Sequence, residues 1–282
     1  MAGYLFIIVP IVLLIIVVLY PFAMSIYYSS TFFNGFSEPA FIGFKNYINL
    51  FSSEKFFTSI KNNFIIATTI PFFVLIPMIL AVILFQNKGY LLKTSRMLIM
   101  LPYAISMTIT GIIFKALLIY NGPLSIILKS IGLDFLVTDW INNRYTAIPL
   151  IIVIAFWKDF GLYTVIYLAG LSNINQDVLD AAKIDGANWF QEFRCIIIPQ
   201  LNAIMVFITA LVLIADFRGM FDYVYNITSG GPGIASFTIE YLLYEEGFHF
   251  LKMGYACAIG VFIFIIIFIF TYFQIRVMSR KD

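Results

Sequence analysis

Intervals without charge divide the chain before any motif does. The first charged residue is Glu38, so residues 4–28 form one apolar run, and the interval between Lys61 and Lys88 holds a second over residues 64–85. Crossing the hydrocarbon core as a helix takes about 20 such residues, and each run is therefore expected to span a membrane. Further runs at 97–120, 147–171, 196–217 and 255–275 bring the expected spans to six. Lys115 falls near one end of the third, where its stem can stay in lipid while the ammonium reaches the interface. Lys158 and Asp159 interrupt the fourth; the fifth follows Arg194 and ends against Asp216. The first run has no basic n-region and no small-x-small cleavage site, and it is longer than a signal h-region, so a retained span is expected. The fold class read from this pattern is an all-α membrane protein with one transmembrane domain over residues 1–282.

Composition agrees: 62% of the residues are hydrophobic and 11% charged, against about 25% charged in a soluble domain. Seventeen basic and 15 acidic residues cannot cover the cores that 282 residues would build in water. A net charge of +2 argues against nucleic acid as a partner. Cys195 and Cys257 stand far apart, with neither disulfide nor zinc-ligand spacing. With six spans both termini share one side. The short segments on that side, 87–96, 172–195 and 276–282, concentrate Lys88, Lys93, Arg96, Lys183, Arg194, Arg276, Arg280 and Lys281, a basic density that places both termini in the cytoplasm.

The segment 172–195 is too patterned for a linker. Asn175 is placed to cap a short helix that Gly186 ends in the left-handed conformation. Asn188 and Gln191 have the spacing of a capping box for a second helix, to which Trp189, Phe190 and Phe193 give apolar surface. Helices this short are marginal alone, so they must pack on the membrane domain, in a partner's groove, or on lipid.

Within that segment, Asp180-Ala-Ala-Lys-Ile-Asp-Gly186-Ala followed by Ile198-Pro199 resembles the cytoplasmic "EAA" motif of membrane subunits of binding-protein-dependent ABC importers, with Asp180 in place of the usual Glu. Phe41-Ile-Gly-Phe-Lys-Asn-Tyr47, Pro102, Leu168-Ala-Gly-Leu171, the stretch from Phe221 through Thr228-Ser-Gly-Gly-Pro232, and Gly254-Tyr-Ala256 resemble the carbohydrate branch, related to maltose-type and glycerol-phosphate-type permeases. The resemblance implies the type I importer permease fold with a coupling helix in loop 172–195. It implies a half-channel in a bacterial cytoplasmic (inner) membrane, paired with a second homologous permease, and a carbohydrate delivered by an extracytoplasmic binding protein. It also implies two cytoplasmic ATPase subunits, which would hold ATP and Mg and leave this chain without a cofactor. Asp180, Ala181, Ala182, Asp185 and Gly186 would then contact the ATPase.

Charges inside spans cost about 2.5–3.5 kcal/mol each even on insertion scales, so they usually face a bundle interior or an aqueous cavity. Lys158, Asp159, Asp216 and Arg218 are thus either substrate-path residues or two structural pairs, Lys158–Asp159 and Asp216–Arg218. Sugars are held by carboxylates and amides on hydroxyls and by aromatic faces; Trp157, Tyr163 and Phe217 stand beside the charges. Aligned on the EAA loop and on Gly230-Gly231-Pro232, the sugar-contacting positions of the maltose-type relative become Ala155, Asp159, Leu162, Asp216, Phe217 and Met220. Few of these hydrogen-bond, which implies a different sugar or a larger share for the partner. A phosphorylated polyol is the alternative substrate, but an anion favours convergent basic groups, and only Lys158 and Arg218 are placed for it. Glu245, Glu246 and His249 read as a solvated loop rather than a metal site. Nothing in the spans resembles a catalytic constellation, so an intramembrane enzyme is disfavoured. No internal repeat supports a secondary transporter, and the absence of a Walker A motif puts any ATPase on another chain.

Overall fold

The computed structural model describes residues 2–86 and 90–278; Lys88, Arg280 and Lys281, used above in the charge argument, lie outside them. Among the described residues four helices are long and apolar enough to cross a membrane: Ile7–Ser29, Glu54–Gln86, Ala147–Leu171 and Met253–Gln274. Two bent pairs bring the number to as many as six: Thr94–Ala104 with Met107–Leu118, and Trp189–Gln200 with Asn202–Asp216. In chain order these are spans 1 to 6. The only strands among the described residues are Thr31–Phe32 and Ala40–Phe41, a two-stranded antiparallel pair in the connection between spans 1 and 2.

Spans 3 and 5 differ from the straight segments expected at 97–120 and 196–217: they bend by 89° and 70°. In span 3, Pro102 lacks the N–H that would bond the preceding turn, and the helix closes with Ile105 N–H donating to Pro102 O (3.2 Å). In span 5, Pro199 follows a widened π-turn at Phe193–Ile197, and the corner is filled by Leu201, 1% exposed. Neither half of a bent pair is long enough alone; Asn202–Asp216, at about 1.5 Å per residue, falls short of the hydrocarbon thickness. Span 2 begins at Glu54, well before the expected 64, because its first turns are polar and stand outside the apolar run.

Spans 2, 4 and 5 form the core. Phe73 meets Phe156 edge-to-face (5.1 Å), and Met78, Ala81, Ile151, Ala155 and Ile208 are fully buried around them. The first half of span 3 lies so close to span 4 that a Cβ at Gly161 would sit 2.0 Å from Ile99 O. Span 1 is different. None of its apolar window is buried; only its last turns reach the body, where Phe22 packs on Phe264 of span 6 (4.4 Å). Between spans 5 and 6 the chain makes short turns, passes the Gly230-Gly231-Pro232 bend and forms the helix Ile239–Tyr244.

Candidate functional site

Loop 172–195 is built from local capping. The helix Gln176–Ile184 starts at Asn175, whose Oδ1 accepts from Asp177 N–H (3.0 Å). It ends with Gly186 N–H donating to Lys183 O (3.1 Å) and Ala187 N–H to Ala182 O (2.9 Å). That pair of bonds is a Schellman motif, which requires the left-handed residue Gly186 supplies at φ +80°. The next turn carries the full Asn188–Gln191 capping box. Trp189 stacks on Phe193 (5.2 Å), and its Nε1–H donates to Gln86 Oε1 at the end of span 2 (3.2 Å). Leu179 is buried beneath the helix, whereas Asp180, Ala181, Asp185 and Gly186 face outward and Ile184 is 86% exposed. Asp180 pairs with Lys183 (3.6 Å) and accepts from Gln176 Nε2 (3.2 Å). Nothing lies within 4 Å of a Cβ built on Gly186. The result is a rigid knob with an apolar tip and a carboxylate beside it.

The intramembrane candidates separate into four environments. Asp159, Tyr163, Asp216 and Met220 share one void of about 10 Å³ with Thr69 and Phe73. Asp159 is 7% and Asp216 2% exposed, and neither oxygen of Asp216 has a hydrogen-bond partner. Lys158 turns away: its Nζ donates to Tyr103 O (3.0 Å) and sits over the Tyr103 ring (4.8 Å). It thus satisfies a carbonyl that the bend of span 3 orphans. Trp157, 39% exposed, packs edge-to-face on Phe114 (5.1 Å). Phe217 and Arg218 line a separate apolar groove of about 480 Å³ with Phe22, Phe248 and Phe264. Neither Lys158–Asp159 nor Asp216–Arg218 forms an ion pair among the described residues, so the structural-pair alternative lacks its contacts.

The chain matches the family described as binding-protein-dependent transport system inner membrane component over residues 48–281. It belongs to that family. A probable ABC transporter permease protein of Bacillus subtilis (strain 168), YurN, is 33% identical over 281 residues, 97% of this chain and 94% of its own length. The arabinooligosaccharides transport system permease protein AraP of Halalkalibacterium halodurans (strain ATCC BAA-125 / DSM 18197 / FERM 7344 / JCM 9153 / C-125) is 32% identical, over 80% of this chain and 71% of its own. The fold is shared with a crystal structure of a bacterial ABC transporter involved in the import of the acidic polysaccharide alginate. There the TM-score is 0.86 at 24% identity, covering 99% of this chain and 95% of that one. This permease is accordingly a non-catalytic membrane subunit with the type I importer permease fold.

Two residues the sequence reading passed over organise the end of the permease opposite loop 172–195. Asn62 Nδ2 donates to Ala235 O and Phe237 O (2.8 Å each). Asn63 Nδ2 donates to Asp216 O (3.1 Å), and its Oδ1 accepts from Ile239 N–H (2.9 Å). Both amides are buried and clamp the segment after the Gly-Gly-Pro bend and the end of span 5 to span 2. The available signal was two adjacent amides just before the apolar run expected at 64–85. Beside them the Glu240 carboxylate oxygens are buried without hydrogen-bond partners, and burial pushes that carboxyl up to about 7.

Proposed function

We propose that this permease forms half of an inward path for a carbohydrate, handed over by an extracytoplasmic binding protein and driven by ATP hydrolysis on two cytoplasmic ATPase subunits. The exposed knob at 176–186, fixed at both ends by caps and backed by Leu179, carries the coupling part of this reading. A docking element must keep its direction when pushed, and Asp180, Ala181, Ala182, Asp185 and Gly186 present little bulk to a groove. The 10 Å³ void between Asp159 and Asp216 has room for about one water. A sugar therefore passes between this chain and a second, homologous permease, with the Asp159 and Asp216 faces as candidate walls.

Carbohydrate is supported by the relatives: besides AraP, a lactose transport system permease protein, LacF, of Rhizobium radiobacter is 29% identical over 96% of this chain. A phosphorylated polyol is the second reading, since the sn-glycerol-3-phosphate permease UgpA of Agrobacterium fabrum (strain C58 / ATCC 33970) is 28% identical. Against it, Lys158 is occupied by Tyr103 O and Arg218 faces another groove, so the basic groups do not converge. Reconstitution with the partner permease, the ATPases and the binding protein in vesicles tests the proposal through ATP-dependent uptake of lactose, arabinotriose or maltotriose. Uptake of glycerol 3-phosphate with none of these sugars would overturn the carbohydrate assignment.

A further inference from the structure

Two of the sequence motifs without a role so far, Lys45-Asn-Tyr47 and Gly254-Tyr-Ala256, come together at the end of the bundle opposite the coupling loop. Asn46 Nδ2 donates to Ser29 O and Thr31 O (2.9 Å each), and Tyr47 OH donates to Ser29 Oγ (2.7 Å). Gly254 N–H donates to Phe33 O (2.9 Å), in an approach so close that a Cβ on Gly254 would lie 2.2 Å from Thr31 O. Ion pairs lock the remaining wall: Lys252 to Glu246 (2.8 Å), and Lys55 to Glu245 (2.9 Å) and Glu246 (3.7 Å). These contacts enclose a pocket of about 320 Å³ whose walls include Phe32, Asn46, Asn49, Glu246, Lys252 and Tyr255. That volume lies within the roughly 300–1,000 Å³ of small-molecule sites.

We propose that this pocket is an outer saccharide site, holding one unit of a neutral sugar at the mouth of the permease; the proposal deepens the carbohydrate reading above and rests on it. The lining matches such a ligand group by group. With its amide hydrogens spent on backbone carbonyls, Asn46 keeps Oδ1 as an acceptor, and the Asn49 side chain is exposed. Glu246, 6% exposed, is an acceptor held in place by two ammonium groups. Phe32, 64% exposed, offers a ring face for the apolar side of a pyranose or furanose. One carboxylate, Glu246, and one ammonium, Lys252, balance in the lining, so the site has no net charge to select an anion. Sugar hydroxyls donate and accept, which suits a wall carrying both kinds of group. The walls are pinned to three separate segments before any ligand arrives, which lowers the ordering cost of binding.

The test uses the assembled transporter in nanodiscs with Cys195→Ser, Cys257→Ser and Asn49→Cys, without ATP or binding protein. Maleimide labelling of the new cysteine is timed with and without lactose, arabinotriose and maltotriose, and uptake of each sugar is measured separately in vesicles. At about ten times its Kd a bound sugar leaves roughly one pocket in eleven open, so labelling should slow about tenfold. A cysteine at the exposed Glu38 should label at an unchanged rate. If a sugar is imported but no sugar protects Asn49→Cys, the outer site is wrong and the carbohydrate reading stands. If a sugar protects but none is imported, the site stands and the transport reading falls. In a parallel run with the unliganded binding protein added, protection by that protein with none by sugar would make the pocket a docking contact and overturn the proposal.

Discussion

Asn63 shows how much one amide can hold. Replacing it by Leu strands Ile239 N–H and Asp216 O in the interior, and each buried unpaired group costs about 1–3 kcal/mol. Asn63→Leu should lower the thermal midpoint of the purified permease more than Asn63→Asp, which keeps the acceptor. Lys158 and Asp159 are separable in the same way. Lys158→Met frees Tyr103 O and should destabilise the folded subunit, whereas Asp159→Asn should leave thermal stability near wild type and reduce sugar uptake. A loss of folded protein in Asp159→Asn would return Asp159 to a structural role. For Glu240 the folded-state pKa is raised to about 7 from 4.5 by burial. Its contribution is therefore fully present below about pH 4.5 and lost as pH rises through 7. Melting curves at pH 5.5 and 8.5 should differ less for Glu240→Gln than for wild type, and an unchanged difference would assign the pH dependence elsewhere.

At the scale of elements, the helix Gln176–Ile184, proposed above to carry the coupling, makes the sharpest prediction. The space around Gly186 is open, so Gly186→Val meets no steric neighbour; its cost is the left-handed backbone, about 1–2 kcal/mol for a side-chain-bearing residue. The variant should insert normally yet bind ATPase weakly or hydrolyse ATP without uptake, and Asp180→Lys should do the same through charge. Normal transport by both, with an unchanged ATPase response to loaded binding protein, would remove the coupling assignment. This element was legible in the sequence because its determinants are local: Asn175, Gly186 and the Asn188–Gln191 box all act within three residues or so. The bends of spans 3 and 5 were not. Pro102 and Pro199 permit them, but the group that donates to the orphaned Tyr103 carbonyl is Lys158, 55 positions away. Hydropathy cannot see such a contact, and it read Lys158 and Asp159 as one unit although they serve different neighbours.

For the whole molecule, span number and the apolar character of each span followed from charge-free length, but the division of the intramembrane charges among a void, a helix end and a lipid-sized groove required the packing. Orientation rests on loop charge and is directly testable. A cysteine at Ile184 should label only from the cytoplasmic side of sealed vesicles, and one at Asn49 only from the other; the reverse pattern would invert the topology. Span 1, which buries none of its apolar window in its own chain, leaves its flank for lipid or for another subunit.

Span 2 joins the two ends of the subunit physically. Its Gln86 end holds Trp189 of loop 172–195, and its opposite end carries Asn62, Asn63 and Lys55, which grip the turns between spans 5 and 6. A 33-residue helix is about 50 Å long at roughly 1.5 Å per residue. Pivoted near its middle like a see-saw, such a beam tilted by about 5° would carry each tip some 2 Å in opposite directions. A push delivered at the Gln86 tip would then arrive at the Lys55 end as displacement, with no relay of side chains needed between.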